Sequence, residues 1–369
     1  MTEELKNQID RHLSEQKSFT VFRLPNASDI TCLEIDKALE FHFAMLDTPP
    51  SNQSFVVFPF NDSEIPGWWF NVSSQQTFKS ITEKASKLNF NIEEEDDNFG
   101  YEAYSNQFKE MMTALKNGAV EKVILSREIV LDENLTSLLP DIFLSLQRHL
   151  PNAFVYLLFT PQTDIWIGAS PEILLKHAAG ICTTVSLAGT RDSASLKTDN
   201  WSEKEIEEQG IVSNYIDKIL EQFRIAPVDK HGPVIVNAGN VSHLKTSYQF
   251  PYSSVAGSMS QLVEQLHPTP ALCGEPKQQA FNLIRRVEKH KRYYYGGFIG
   301  PVAENEMHLF VNIRCMKVSK NESTLYVGGG ITASSNEEKE WKETKEKSRT
   351  LLSVISQVKN EAHTGLINQ

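Results

Sequence analysis

The segment Leu325-Tyr-Val-Gly-Gly-Gly-Ile-Thr332 is an apolar, strand-like run interrupted by three consecutive glycines, and it leads within a few residues into the charged stretch Glu337–Lys347. Three glycines weaken a strand, so their place in one points to a backbone that something must approach closely. Asn336 is positioned to cap the helix that follows. On that helix Glu340, Glu343 and Lys347 share one stripe, while Trp341, Thr344, Ser348, Leu351, Leu352 and Ile355 form the packing stripe beside it. The segment reads as the floor of a binding site. By itself, the charged stripe fits a solvated helix face more readily.

A second helix of the same kind lies upstream. Ser202-Glu-Lys-Glu205 is a capping box opening a helix to about Phe223, with Glu205 and Glu208 one turn apart and Ile211, Val212, Tyr215, Ile219 and Leu220 on the packing face. Two helices that each open on a Glu-x-x-Glu step could hold a divalent cation between them, but spacing does not say whether they meet.

The remaining chain is rich in strand signals. Residues 1 to 100 carry short apolar runs (Phe19 to Leu24, Ser54 to Phe60, Gly67 to Val72), which predict mostly strands, and the acidic run Glu93–Asp97 predicts a solvated loop and a possible seam. From Tyr101 a helix is marked by Tyr104, Phe108, Met111, Met112 and Leu115, with Gly118 as its stop. In the strand Val120–Leu131, Lys122 shares a face with Ile124 and Ser126. That amine is either an edge lysine reaching water or an unusual amine on an apolar side. Glu172 opens a strand directly after Pro171, and Thr183–Leu187 is a strand running into Ala188-Gly-Thr-Arg191. His267–Pro276 predicts a rigid loop before a helix to about Lys291, and His308–Lys317 predicts one strand with Phe310, Asn312 and Arg314 on one face. Arg314 is then either exposed or a carboxylate clamp. The polar segment 359–369 is expected to fray.

Composition narrows the function. A formal net charge of -11 argues against a nucleic-acid or anionic-membrane partner, so an anionic ligand needs cations gathered at its site. Cys32, Cys182, Cys273 and Cys315 have no Cys-x-x-Cys spacing, which fits reduced thiols in a cytoplasmic protein. The first residues lack a signal-peptide pattern, and no run approaches the ~20 apolar residues that span a membrane. No nucleotide fingerprint, phosphate loop or nucleophile elbow is present.

Read together, Lys122-Val-Ile-Leu-Ser-Arg127, Ser170-Pro-Glu172, Leu187-Ala-Gly-Thr-Arg191, Glu203-Lys-Glu-x-x-Glu208, His267-Pro-Thr-Pro-Ala271, Tyr295-Gly-Gly297, Ile313-Arg314, Gly328-x-Gly-Ile331 and Glu340-Trp-x-Glu-Thr344 resemble the chorismate-utilising enzymes, most closely the isochorismate synthases. The resemblance covers roughly residues 100 to 358. It implies an α/β fold of two large, mostly antiparallel β-sheets packed together with flanking helices. Residues 1–100 would be a strand-rich part of that same fold, 101–358 the chorismate-binding catalytic region and 359–369 a polar tail. It also implies Mg²⁺ held by Glu208 and Glu343, with Glu205 and Glu340 in support. Arg314, Tyr295 and the backbone at Gly328 and Gly330 would bind the enolpyruvyl carboxylate, and Gly189 and Thr190 would line the ring. His243 and Lys347 would assist at the ring carboxylate, with Lys122 as base and Glu172 as general acid.

Within the family, Lys122 suits activation of water, so no glutaminase subunit is expected, and Ala188 speaks against the aminodeoxychorismate branch. Ala271 stands where lyase-competent members tend to carry threonine, which favours stopping at isochorismate over salicylate synthase. A non-catalytic Mg²⁺ and dicarboxylate-binding homologue is a third reading. The pathway, menaquinone or siderophore, is left open, and a monomer is the family-level expectation. Four clustered carboxylates should repel one another, so removing one is expected to stabilise the metal-free protein.

Overall fold

A computed structural model describes residues 2–50, 52–80, 88, 98–192 and 201–367. The acidic run Glu93–Asp97 lies outside them. The described residues build one sixteen-stranded sheet, every neighbouring pair antiparallel, with helices packed on it. Along the sheet the strands run β10 (Asp229–Ala238), β11 (Val241–Pro251), β9 (Ile181–Asp192), β8 (Ile173–Ala178), β14 (Glu306–Val311) and β13 (Phe298–Ala303). Next come β3 (Ser54–Phe58), β4 (Trp68–Lys79), β2 (Asp29–Glu40) and β1 (Phe19–Arg23). The order closes with β6 (Phe154–Thr160), β7 (Asp164–Ser170), β15 (Cys315–Val318), β16 (Ser323–Thr332), β5 (Lys122–Leu131) and the short β12 (Gly274–Glu275). The two sheets expected are thus two leaves of one hydrogen-bonded ribbon folded on itself. Phe154 of β6 stacks on Phe310 of β14 with centroids 4.3 Å apart, although β6 stands six places beyond β14 in the strand order.

The strands of the first hundred residues occupy the middle of this ribbon, where β1 pairs with β6 and β3 with β13. Continuous burial goes with this placement, since Phe19–Arg23 and Ser54–Phe58 are buried at every position. Residues Thr2–Ser14, however, form a helix, α1, not a strand. Leu5, Ile9 and Leu13 recur every four residues and are buried, with acidic residues in its first turn and basic ones in its last.

Helices cover the outer faces: α2 (Asn98–Lys116) and α6 (Lys277–Val287) near β5, and α1, α3 (Leu139–His149) and α7 (Glu337–Ile367) over β6, β7 and β16. The helix α4 (Glu203–Gln222) lies on β9, and α5 (Met259–Leu266) near β8. The expected frayed tail is helical through Ile367, because Val358 remains buried and Lys359 pairs with Glu133 at 2.6 Å. Likewise, His308–Lys317 is not one strand. It breaks at Asn312–Arg314, where Arg314 takes φ +50°, and the chain passes from β14 in one leaf to β15 in the other. All four cysteines are buried and free. No helix among the described residues is long and apolar enough to cross a membrane.

Candidate active site

The two ends of the strand order come together around a cavity of about 640 Å³ including its open mouth, within the usual range of small-ligand pockets. From one end β9 and β11 supply Leu187, Ala188, Thr190 and His243. From the other, β5 and β16 supply Ile124, Tyr326, Val327, Gly328 and Gly330. Glu172, Ala271, Leu272, Tyr295, Ile313 and Arg314 close the sides, and Glu208 and Lys347 reach in from α4 and α7.

The break between β14 and β15 places Arg314. Instead of the solvated position a continuous strand would give, its guanidinium is 7% exposed and faces the cavity. Nη1 donates to Ala238 O at 2.7 Å, and Nη2 lies 2.9 Å from His243 Nε2. Arginine has no acceptor, so Nε2 must accept, which leaves the His243 proton on Nδ1, donated to Gly189 O at 3.1 Å. Burial and then the Arg314 charge hold His243 well below the usual histidine range, so the ring is neutral. Burial also brings Arg314 down to about 10, and Glu172 opposes that shift. Gly189 sits beside a register shift in the β9–β11 pairing at φ +69°. A Cβ there would stand 3.0 Å from Glu205 O.

Glu172 follows the β7 strand, and its backbone N–H donates to Ser170 Oγ at 3.3 Å. The side chain is 2% exposed and Oε1 has no hydrogen-bond partner. Burial raises its pKa to about 8, against the pull of Lys122, Lys347 and Arg314, so the carboxyl is mostly protonated at neutral pH.

The glycine floor is crowded by the protein's own polar groups. A Cβ on Gly328 would lie 2.8 Å from Tyr295 Oη, and one on Gly330 would lie 2.2 Å from Glu208 Oε1. On the neighbouring Gly329, Glu340 Oε2 and Glu343 Oε1 come within 3.5 and 3.6 Å of the same position. The capping box at Ser202 forms, and Lys339 N–H donates to Asn336 Oδ1 at 3.1 Å, so both acidic helices begin where their caps indicate.

The two helices do meet, and each inner carboxylate has a lysine. Lys122 Nζ is 3.0 Å from Glu208 Oε1, Lys204 Nζ 2.6 Å from Glu340 Oε1 and 4.0 Å from Glu208 Oε2, and Lys347 Nζ 2.8 Å from Glu343 Oε1. Lys347 also donates to Gly328 O at 2.9 Å. Burial works against the charge of Glu208, but Lys122, Lys204 and Lys347 together draw its pKa below the ordinary value. Burial and then Glu343 raise Glu340 to about 7. Simple mutual repulsion, expected from the sequence, is therefore offset by ammonium groups.

Three placements differ from the simplest reading. Lys122 is fully buried, not an edge lysine, and it lies beneath Gly330 with Glu208 between its amine and the cavity wall. Its Nζ makes no well-directed hydrogen bond despite the close carboxylate. Glu205 is committed to the helix cap, receiving Ser202 N–H at 2.8 Å, and lies 3.5 Å from Arg191. Lys204 was missed. Its only sequence signal is the spacing of four residues to Glu208.

The donor set suits a hard cation. Glu340 Oε2 is buried without a partner, oxygens from both helices converge on consecutive glycines, and an ammonium already sits between Glu208 and Glu340. No three acidic, histidine or cysteine side chains among the described residues are grouped tightly enough to ligate an ion by themselves.

The family model described as "Chorismate binding enzyme" matches residues 63–356, and the chain belongs to that family. It is 26% identical over 272 residues to the vibriobactin-specific isochorismate synthase of Vibrio cholerae, covering 71% of this chain and 69% of that one. To isochorismate synthase EntC of Escherichia coli K12 it is 31% identical over 251 residues, covering 64% and 62%. The aligned region thus takes in about two thirds of these relatives' lengths. The solved structure of MenF, the menaquinone-specific isochorismate synthase from Escherichia coli, superposes with a TM-score of 0.75 over 94% of this chain at 18% identity, which establishes the shared fold.

Proposed function

We propose that the protein converts chorismate to isochorismate, adding water at ring carbon C2 and releasing the C4 hydroxyl. The observation that carries this reading is Glu172, a buried carboxyl with a pKa near 8 and an unpartnered oxygen beside the cavity. Such a group is a proton donor at neutral pH. Names of the relatives support the same reaction.

Glu172 gives its proton to the departing C4 hydroxyl, which leaves as water. The base role falls to Lys122: the proton lost by the attacking water passes from the cavity into the Lys122–Glu208 pair, whose members lie 3.0 Å apart, entering at its cavity-facing carboxylate end. Arg314, its plane fixed by Ala238 and neutral His243, takes a substrate carboxylate together with Tyr295 and the backbone near Gly328 and Gly330. Thr190 and Ala271 border the ring, and Lys347 adds positive charge at the floor. Glu208 and Glu343 would hold Mg²⁺, with Glu340 in support and Glu205 remaining at its cap. When bound, that ion would neutralise and polarise the ring carboxylate. With water as nucleophile, no glutaminase partner is required.

The test is to incubate the protein with chorismate and Mg²⁺ and resolve the products by chromatography. Isochorismate alone is expected. Stoichiometric salicylate and pyruvate would overturn the assignment in favour of salicylate synthase, and chorismate binding without turnover would favour a non-catalytic homologue.

A further inference from the structure

We infer that Lys204 is a displaceable counter-ion that occupies the cation position between the two acidic helices, and that it must swing out before a divalent metal can enter. The inference rests on the metal reading given above. Lys204 stands in the first turn of α4, one turn before Glu208, and its Nζ reaches Glu340 Oε1 on α7 at 2.6 Å and Glu208 Oε2 at 4.0 Å. One ammonium therefore spans the same two helices that a bridging metal would span. Glu340 Oε2, in a side chain 2% exposed, is left without a partner beside it.

Three lysines compensate three carboxylates here, and they differ in how freely they can leave. Lys122 is 0% exposed and enclosed beneath Gly330. Lys347 is held twice, by Glu343 and by Gly328 O. Lys204, no more exposed than Lys347 (20% against 21%), donates to Glu340 alone at hydrogen-bond distance and lines a cleft bounded by Arg191, Ser334 and Glu346 as well as by Glu340 and Glu343 themselves. Its four-carbon stem is flexible enough to rotate further into that cleft once a cation replaces the ammonium at Glu340. Pairing Lys122, Lys204 and Lys347 with Glu208, Glu340 and Glu343 gives 3 − 3 = 0 formal charge. A dication entering among them would meet three nearby ammonium groups, and moving Lys204 away removes the closest competitor between the helices.

The experiment compares wild type, Lys204→Gln and Lys204→Arg without substrate, measuring Mg²⁺ affinity by calorimetry and the Mg²⁺-induced rise in melting temperature. Circular dichroism would verify the fold of each variant. Lys204→Gln is expected to bind Mg²⁺ about tenfold more tightly, since one neighbouring positive charge is gone. Its metal-free melting temperature should fall because Glu340 loses its partner. Lys204→Arg, which keeps the charge on a bulkier group, should bind Mg²⁺ no better than wild type and provides the readout should the glutamine variant fold poorly: tighter binding by the arginine variant counts against the inference. Equal or weaker Mg²⁺ binding by Lys204→Gln overturns the counter-ion role while leaving the metal reading intact. No Mg²⁺ response in wild type overturns both.

Discussion

Two buried clusters of carboxylate and cation lie four residues apart on β5, one around Ser126 and one around Lys122, and they are finished differently. At the first, Glu288 Oε1 accepts from Ser126 N–H at 2.8 Å, Ser126 Oγ at 2.9 Å and Arg292 Nη2 at 2.6 Å, while Oε2 accepts Arg292 Nε at 2.8 Å. Arg292 spends its other donors on Leu272 O and Ile124 O. None of these side-chain atoms lacks a partner. Around Lys122, by contrast, Lys122 Nζ, Glu172 Oε1 and Glu340 Oε2 all lack one. Burial is similar in both, so satisfaction of hydrogen bonds separates them. A saturated pair fixes the backbone, here holding β5 against the loop that carries Ala271 and Leu272, whereas unsatisfied groups stay poised for a ligand or a proton.

Breaking the comparison at Glu172 should produce the largest effect. Glu172→Gln should lower turnover by about 10²- to 10⁴-fold while leaving the fold stable, since no hydrogen bond of the carboxyl to protein is lost at Oε1. In wild type, turnover should fall as pH rises through about 8, where Glu172 loses its proton. The sign for stability follows from the raised pKa: the folded state holds a proton that the unfolded chain releases near the ordinary glutamate value of about 4.5, so this group's contribution declines between about 4.5 and 8. A pH titration of turnover and of urea stability for both proteins checks each part, and an identical profile in Glu172→Gln would remove Glu172 as the acid.

At the saturated cluster the order of effects should reverse. Arg292→Met strands Glu288 as a buried charge and should cost about 3–5 kcal/mol in urea unfolding. Next in size are Glu208→Gln and Glu343→Gln, each expected to weaken Mg²⁺-dependent turnover. Against the repulsion argument, Glu208→Gln should also destabilise the metal-free protein by about 1–3 kcal/mol, because Lys122 loses its only close carboxylate partner among the described residues. A rise in metal-free melting temperature would restore repulsion as the dominant force. The smallest effect is expected at Ala271, which touches neither cluster's charges. Ala271→Thr should lower isochorismate formation by about tenfold through altered packing at the ring, with slight pyruvate release, measured by product analysis.

Much of this arrangement was legible along the chain because it depends on local rules. The caps at Ser202 and Asn336, the strand opening at Glu172 and the packing stripes of the helices from Tyr101, Ser202 and Asn336 all follow from neighbouring residues. Where the rule was non-local, sequence reasoning slipped. The His308–Lys317 run has good strand composition throughout, and nothing in it marks the change of leaf at Asn312–Arg314. Thr2–Ser14 shows that the error can also be one of period, since Leu5, Ile9 and Leu13 were there to be read as a helix.

What the sequence determined by itself was the set of chemical groups: three glycines in a strand, two capped acidic helices, a lysine on an apolar strand face, and a glutamate after a proline. Those are facts of spacing, and spacing fixes which side chains share a face. Only the tertiary structure decided how they act on one another. The sheet's folding brings β9 and β11 to β5 and β16 from opposite ends of a sixteen-strand order, so Glu208 can touch Lys122 across 86 positions of chain. The protonation of Glu172, the neutrality of His243 and the pairing of Lys204 with Glu340 all arise from burial and contacts between distant segments. Coulomb and desolvation energies depend on distance in space and exclusion of water, and neither quantity is written in the order of residues.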